Sequence, residues 1–206
     1  MDKAVMTFLV DAEKVNIDKK LVLRFLKVRG EATKEVEELL DDCINEFQSY
    51  VSYKACYRMF DLKTEEKSIS FSDDMVLCSE NLKKNLSGCE KALVFVATTS
   101  LGVDRLIHKY SSTQVSRALV LDAVASAAIE AFCDTLCDKF EADFDADTAP
   151  RFSPGYGDLE INTQKQVIDV CDATRKVGVT LSKKFTMIPR KSVSAIVGIK
   201  SSSYGE

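Results

Sequence analysis

The sequence predicts an α+β fold, in which helices pack around a mainly antiparallel, bent sheet and one long helix is buried. Three observations support this prediction. Segments with strand and helix patterns do not alternate regularly along the chain, which argues against a doubly wound sheet. A short apolar run over 92–99 is typical of a strand buried on both faces. A helical pattern over 113–140 is apolar around its whole circumference between Ala118 and Ala131, as expected of a buried helix.

The remaining elements follow from local periodicity and from capping residues. The predicted helices cover 18–28 with Asp18 as cap and Gly30 as stop, 32–50, 103–109 and 113–140, and another begins at Asn162 as cap. The predicted strands cover 51–62, 68–71, 92–99 and 192–199, with 92–99 central and the first two in one antiparallel sheet. An acidic loop over 141–150 and a polar tail over 200–206 complete the chain.

Length, charge and cysteine content limit the class of protein. With 206 residues, 46% of them hydrophobic, the chain can bury one sizeable core, and we expect a single domain over 1–206. A net charge of -4 argues against binding to nucleic acid and to anionic membranes. Seven scattered cysteines suit a reducing, cytoplasmic setting. The apolar run from Ala4 to Val10 is bracketed by charges and is too short to span a bilayer.

The usual catalytic and metal-binding patterns are weak in this sequence. His108 is the single histidine, and a lone helical histidine is more often a surface or packing residue than a base. Cys133 and Cys137 lie four residues apart on one helix face, but two ligands make a poor metal site, so we interpret them as small buried hydrophobes. No phosphate-binding glycine loop occurs. The acidic cluster over 141–147 lacks the pattern of a calcium loop and is interpreted as a solvated connection.

The segment over 150–158 is the strongest candidate for a ligand site. Arg151 offers a rigid fork of donors suited to a carboxylate, Gly155 lets the backbone approach a ligand, and Tyr156 offers a flat face and a hydroxyl. Together they suit a small zwitterionic ligand, and the ring could face a cation such as a sulfonium. On residue types alone, a Pro/Gly turn whose Arg and Tyr only pack and pair at the surface is at least as well supported.

The order of two motifs carries a family resemblance. The first is Arg151-x-x-x-Gly155-Tyr156, followed by Thr163-Gln164-Lys165 at a helix start, and the second is Met187-x-Pro189-x-x-Ser192-Val193-Ser194. Together they resemble the activation domain of cobalamin-dependent methionine synthase. The resemblance implies that Arg151, Gly155 and Tyr156 bind S-adenosylmethionine, with Ser153 as a further contact. It also implies that Ser192 and Ser194 shape the site. Gly157 departs from the family, which usually has proline after the tyrosine.

The same resemblance implies a role in methyl transfer. In that family an electron from flavodoxin or ferredoxin and a methyl group from S-adenosylmethionine restore methylcobalamin after the corrinoid has been oxidised. Nothing in this chain looks like a cobalamin, homocysteine or folate domain, so the resemblance implies action in trans on a corrinoid-binding methyltransferase that carries the cobalamin. The alternative is a non-enzymatic binding or assembly subunit of such a methyltransferase that has lost donor binding. An unrelated methyltransferase is disfavoured because no glycine-rich nucleotide signature is present.

Overall fold

The computed structural model describes residues 4–66, 68–72 and 75–200. The strands are β1 (Met6–Val10), β2 (Tyr53–Asp61), β3 (Lys63–Thr64), β4 (Ile69–Ser72), β5 (Met75–Leu77), β6 (Cys89–Thr98), β7 (Thr180–Leu181), β8 (Met187–Ile188) and β9 (Ser192–Lys200). The helices are α1 (Lys19–Phe25), α2 (Lys34–Gln48), α3 (Glu80–Asn85), α4 (Leu101–Tyr110), α5 (Val115–Phe144), α6 (Gln164–Val170) and α7 (Ala173–Val177). Two short 3₁₀ helices cover Ala12–Lys14 and Ile161–Thr163. The predicted α+β class with antiparallel strands and one long helix is confirmed.

A four-stranded antiparallel sheet in the order β1-β2-β6-β9 is the centre of the fold. Strand β6 occupies an inner position, as its continuous apolar run predicts. Its side chains alternate between two hydrophobic cores: Phe95 faces α1, α2, α4 and α5, whereas Val94 faces α3, α6, α7 and the small sheet. Since both faces of β6 are covered, every residue from Ala92 to Thr98 is buried.

Helix α5 packs along the first face of the sheet and is the long buried helix that the sequence predicts. It continues to Phe144, so the prediction of a loop from residue 141 is wrong for its first four residues. The reason is that Phe140 and Phe144 lie four residues apart on one helical face, and both pack in the first core. Asp145 then ends the helix in a left-handed conformation, with φ of 47°.

The second predicted strand forms in a different sheet from the one we expected. Strand β4 pairs with β3 and β5 in a separate three-stranded sheet, whereas β2 joins the central sheet. Ile69 and Phe71 of β4 are buried against the second core, so this small sheet covers the far face of the central one. The residues from Met6 to Val10 form the edge strand β1, which was not predicted.

Several element boundaries differ from the predicted ones. Asp18 caps α1 as expected, accepting a hydrogen bond from the backbone of Lys20 at 2.8 Å, but α1 ends at Phe25 because Lys27 turns to a positive φ of 57°. Asn162 does not cap α6, since its amide donates backward to Glu160 at 2.7 Å. Of the predicted polar tail over 200–206, residue 200 ends β9 and the others lie outside the described residues. No helix in the described ranges is long and apolar enough to cross a membrane.

Candidate functional site

One cleft of about 500 Å³ brings the two sequence motifs together. It lies between α5, the loop that follows it, the start of α6, and the β8–β9 segment. The lining residues are Glu130, Arg151, Ser153, Pro154, Tyr156, Ile161, Gln164, Met187, Ser192, Val193 and Ser194. Its size falls within the range of about 300–1,000 Å³ that is usual for small-molecule sites.

Backbone pairing places the loop beside the last strand. The N–H of Phe152 donates to the carbonyl of Ile196 at 2.9 Å, and the N–H of Ile196 donates back at 2.8 Å. A second bridge joins Thr148 to Ile199. The chain from Thr148 to Phe152, which includes the start of the Arg151–Tyr156 motif, therefore runs as an extra antiparallel partner of β9, which carries Ser192 and Ser194.

The turn that follows is built around Gly155. Its N–H donates to the carbonyl of Leu159 at 2.8 Å, and the Leu159 N–H donates to the carbonyl of Tyr156 at 3.0 Å. Gly155 has a φ of 93°, which L-amino acids rarely adopt, and an added Cβ would stand 3.2 Å from Cδ1 of Ile161. The conformation of the turn therefore favours glycine at this position.

Asp158 ties the far end of the turn to α3. Its carboxylate accepts hydrogen bonds from the Ser79 hydroxyl and from the backbone N–H groups of Glu80, at 2.7 Å, and Asn81, at 3.2 Å. The bond from Ser79, together with these backbone bonds, lowers the pKa of Asp158 to about 2. Gly157 packs closely here, because a Cβ on it would lie 2.5 Å from the side-chain nitrogen of Asn81. Gly157 also has a positive φ of 54°, which proline cannot adopt, so the local backbone excludes the proline that the family usually has here.

Arg151 lies in the cleft wall with two carboxylates already beside it. Its Nη2 contacts Oε2 of Glu130 at 2.7 Å, and its Nη1 contacts Oδ1 of Asp134 at 2.9 Å. Burial opposes the charged form of Arg151, but Cys133 and the two carboxylates raise the pKa of its guanidinium above the ordinary value. The arginine is thus held in a fixed, charged state next to a carboxylate that also faces the cleft.

The other predicted residues differ in how freely they face the cleft. Tyr156 is 60% exposed, and its ring makes an edge-on contact with Phe152 at a centroid distance of 6.3 Å. Ser153 lines the cleft and its carbonyl accepts the Tyr156 N–H at 3.1 Å. All four predicted contact positions, Arg151, Ser153, Gly155 and Tyr156, therefore belong to one loop at one cleft, while their binding role stays a prediction.

The two serines of the S-V-S segment have different surroundings. The Ser192 hydroxyl lies 2.7 Å from the carbonyl of Pro189 and 2.8 Å from Oγ1 of Thr98, so it holds the start of β9 against β6. Ser194, on the same strand face, is only 3% exposed and lines the cleft. Among the described residues its hydroxyl has no hydrogen-bond partner.

Sequence reasoning missed several lining residues. Glu130 was not singled out, although a carboxylate that interrupts the apolar run over 118–131 is a usable signal. Gln164 and Met187 marked the family resemblance, yet neither was predicted to line the site. Ile161 carried no signal, because its place in the cleft depends on the turn around Gly155.

His108 and Cys133, the weak catalytic and metal-ligand candidates, do not line this cleft. His108 lies in the last turn of α4, beside a smaller hollow that it shares with Asp104 and Asp122. Cys133 is fully buried, and burial raises the pKa of its thiol. Within the described part of the chain, no three histidine, cysteine or acidic side chains are grouped as a metal site would need.

Comparison with known proteins identifies the family. Residues 40–204 match the sequence profile described as "Vitamin B12 dependent methionine synthase, activation domain". The chain belongs to this family. Both motifs of the cleft fall inside the matched residues, as does most of the central sheet.

A solved structure has a fold similar to that of this activation domain. The crystal structure of the MetH reactivation domain bound to AdoHcy superposes with a TM-score of 0.77 at 15% sequence identity. The superposition covers 98% of this chain and 80% of that one. At 15% sequence identity, the structural similarity establishes the fold alone. No curated protein matches the sequence.

Proposed function

We infer that this activation domain binds S-adenosylmethionine in the cleft and presents it for reductive remethylation of a corrinoid cofactor. The observation that carries the proposal is that one cleft unites the Arg151–Tyr156 loop with the Ser192–Ser194 strand. The family match and the crystal structure of a reactivation domain bound to AdoHcy support the choice of ligand.

The residues of the cleft fit a ligand with charged and neutral parts. Arg151 would bind the α-carboxylate, and Glu130, beside it, offers an acceptor for the α-ammonium group. The exposed ring of Tyr156 offers a π face to the sulfonium, with Ser153 as a polar neighbour. Gly155 would hold the turn in the shape that the ligand requires. When bound, the donor supplies an activated methyl group, so these residues need only bind and orient it.

We further propose that the acceptor belongs to another protein. The family is that of a vitamin B12 dependent methionine synthase domain, and cobalamin would be carried by a corrinoid-binding methyltransferase. The electron would come from flavodoxin or ferredoxin, as the family resemblance implies. With its scattered cysteines, the chain would act in the reducing cytoplasm.

Titration calorimetry with S-adenosylmethionine and S-adenosylhomocysteine tests donor binding. We expect the wild-type chain to bind both, and Tyr156→Ala to lower the affinity for S-adenosylmethionine roughly tenfold through loss of the cation–π contact. Tyr50→Ala, at another exposed tyrosine outside the cleft, is the matched control and should bind as the wild type does. Absence of binding by the wild type to either ligand would falsify the proposal.

One observation favours a second function. The Arg151 guanidinium is already paired with Glu130 and Asp134. The same pairing is expected in a protein that keeps the fold but no longer binds the methyl donor. In that case the protein is a non-enzymatic binding or assembly subunit of a corrinoid methyltransferase. Co-purification with a cobalamin-loaded methionine synthase, without donor binding and without recovery of the oxidised enzyme's activity, would establish this second function.

A further inference from the structure

Two side chains in the cleft wall are polar and mostly buried, and they make no hydrogen bond to another described residue. Gln164, the first residue of α6, is 5% exposed, and Ser194 of β9 is 3% exposed. Both line the cleft. Within the ranges that the structure describes, neither side chain makes a hydrogen bond. Ser192 provides the contrast, because its hydroxyl lies within hydrogen-bond distance of Pro189 and Thr98.

Neither the Gln164 amide nor the Ser194 hydroxyl is sealed from solvent, so both polar groups stay open to a molecule that occupies the cleft they line. The Gln164 side chain makes no hydrogen bond to another described residue, and its polar atoms keep some exposure at the cleft that the residue lines. A ligand with a hydrogen-bond donor and acceptor side by side would satisfy both ends of the amide at once. The structure therefore points to Gln164 as a ligand contact.

The chemistry of the cleft indicates which part of the ligand this is. Arg151 and Glu130 carry opposite charges and suit the zwitterionic end of an amino acid. Gln164 is neutral and comes from a different element, α6. Glutamine is matched to adenine, whose edge presents the 6-amino donor beside a ring-nitrogen acceptor.

We propose that Gln164 is the specificity-determining residue that reads the adenine edge of the donor, with Ser194 as a second polar contact on the nucleoside. The inference rests on the proposed binding of S-adenosylmethionine in this cleft. It adds a physical reason for the site to prefer a purine, whereas the proposed contacts of the Arg151–Tyr156 loop involve the amino-acid end and the sulfonium of the donor. The site selects an adenine nucleoside because any ligand without that edge leaves the Gln164 amide unpaired.

The test compares two ligands on three proteins by titration calorimetry. The ligands are S-adenosylhomocysteine and its analogue whose purine lacks the 6-amino group. The proteins are the wild type, Gln164→Leu, and Gln166→Leu, which changes an exposed glutamine two residues along the same helix and serves as the control. Leucine keeps most of the side-chain volume while removing the amide.

We expect the wild type and Gln166→Leu to bind the analogue about tenfold more weakly than S-adenosylhomocysteine, because roughly one hydrogen bond is lost. Gln164→Leu should bind S-adenosylhomocysteine about tenfold more weakly than the wild type and should no longer distinguish the two ligands. Its melting temperature should not fall, because no hydrogen bond inside the protein is lost.

Three results would overturn the inference. The first is that Gln164→Leu and the wild type bind S-adenosylhomocysteine with equal affinity. The second is that the wild type binds the analogue as well as it binds S-adenosylhomocysteine. The third is that Gln164→Leu loses affinity for both ligands and has a lower melting temperature. A wild type that binds neither S-adenosylmethionine nor S-adenosylhomocysteine would instead contradict the proposed function, so the two failures are distinguishable.

Discussion

Phe152 and Ile196 exchange a pair of backbone hydrogen bonds, at 2.9 and 2.8 Å, across 44 residues of sequence. This pairing attaches the loop that begins at Arg151 to the strand that carries Ser194. The edge of β9 is thereby occupied, and the two motifs of the family face each other across one cleft. A local turn and a distant strand thus become parts of a single candidate site.

Gly155→Ala should weaken donor binding more than its effect on stability explains. The φ of 93° opposes any L side chain, and the new Cβ would press on Ile161, which lines the cleft. We expect the free energy of unfolding to fall by about 1 kcal/mol. We also expect the affinity for S-adenosylmethionine to fall, as measured by calorimetry on the folded protein.

Gly178→Ala is the matched control for this change. Gly178 also has a positive φ, of 74°, but a Cβ there meets nothing within 4 Å. It should lose a similar amount of stability, about 1 kcal/mol, and keep the donor affinity of the wild type. Equal donor affinity in both variants would show that the Gly155 turn does not shape the site.

Asp158 should make stability depend on acidity at low pH. Hydrogen bonds from Ser79 and from two backbone N–H groups hold its pKa at about 2, below the ordinary value of 3.8. Because the folded state keeps the carboxylate charged, this contribution is complete above about pH 4 and is lost as the pH falls through 2. We expect Asp158→Asn to unfold more easily at pH 5 and to lose less stability than the wild type between pH 4 and pH 2.

Urea unfolding followed by circular dichroism at several pH values measures this difference. Asp169→Asn changes an exposed aspartate on α6 whose side chain makes no hydrogen bond or ion pair within the described residues. Its pH dependence should match that of the wild type. If Asp158→Asn also follows the wild-type curve down to pH 2, Asp158 does not anchor the loop to α3.

Glu46 and Arg117 should be energetically coupled. Nε and Nη2 of Arg117 both donate to Oε2 of Glu46, at 3.1 and 2.8 Å, and the Tyr110 hydroxyl donates to Oε1 at 2.8 Å. The group joins α2, α4 and α5, and both charged side chains are mostly shielded from solvent. A double-mutant cycle with alanine at both positions should give a coupling energy of about 1 kcal/mol in urea unfolding.

The exposed pair of Lys34 and Glu38 is the control for this cycle. Its two atoms are 3.6 Å apart and its side chains are 86% and 67% exposed. Solvent screens such a pair, so its coupling energy should lie close to zero. Similar coupling in both pairs would mean that shielding from solvent and the two hydrogen bonds to Oε2 do not strengthen the Glu46–Arg117 pair.

The sequence predicted much of the fold because hydrophobic periodicity records burial within single elements. The run over 92–99 marked an inner strand, and the apolar circumference of 118–131 marked the buried part of α5. The predictions were wrong where contacts with a neighbouring residue or strand determine the local structure. The Asn162 amide turns back to Glu160, and β4 joins a sheet of its own with β3 and β5.

By itself, the sequence determined the family, the Arg151–Tyr156 loop and the Ser192–Ser194 strand, because these depend on residue types at fixed spacing. The tertiary structure alone decided that Glu130 and Asp134 pair with Arg151, and that the Gln164 amide faces the same cleft. The physical reason is that these contacts join α5, α6 and β9. Their meeting depends on long-range backbone pairing and packing, which the periodicity of one element does not encode.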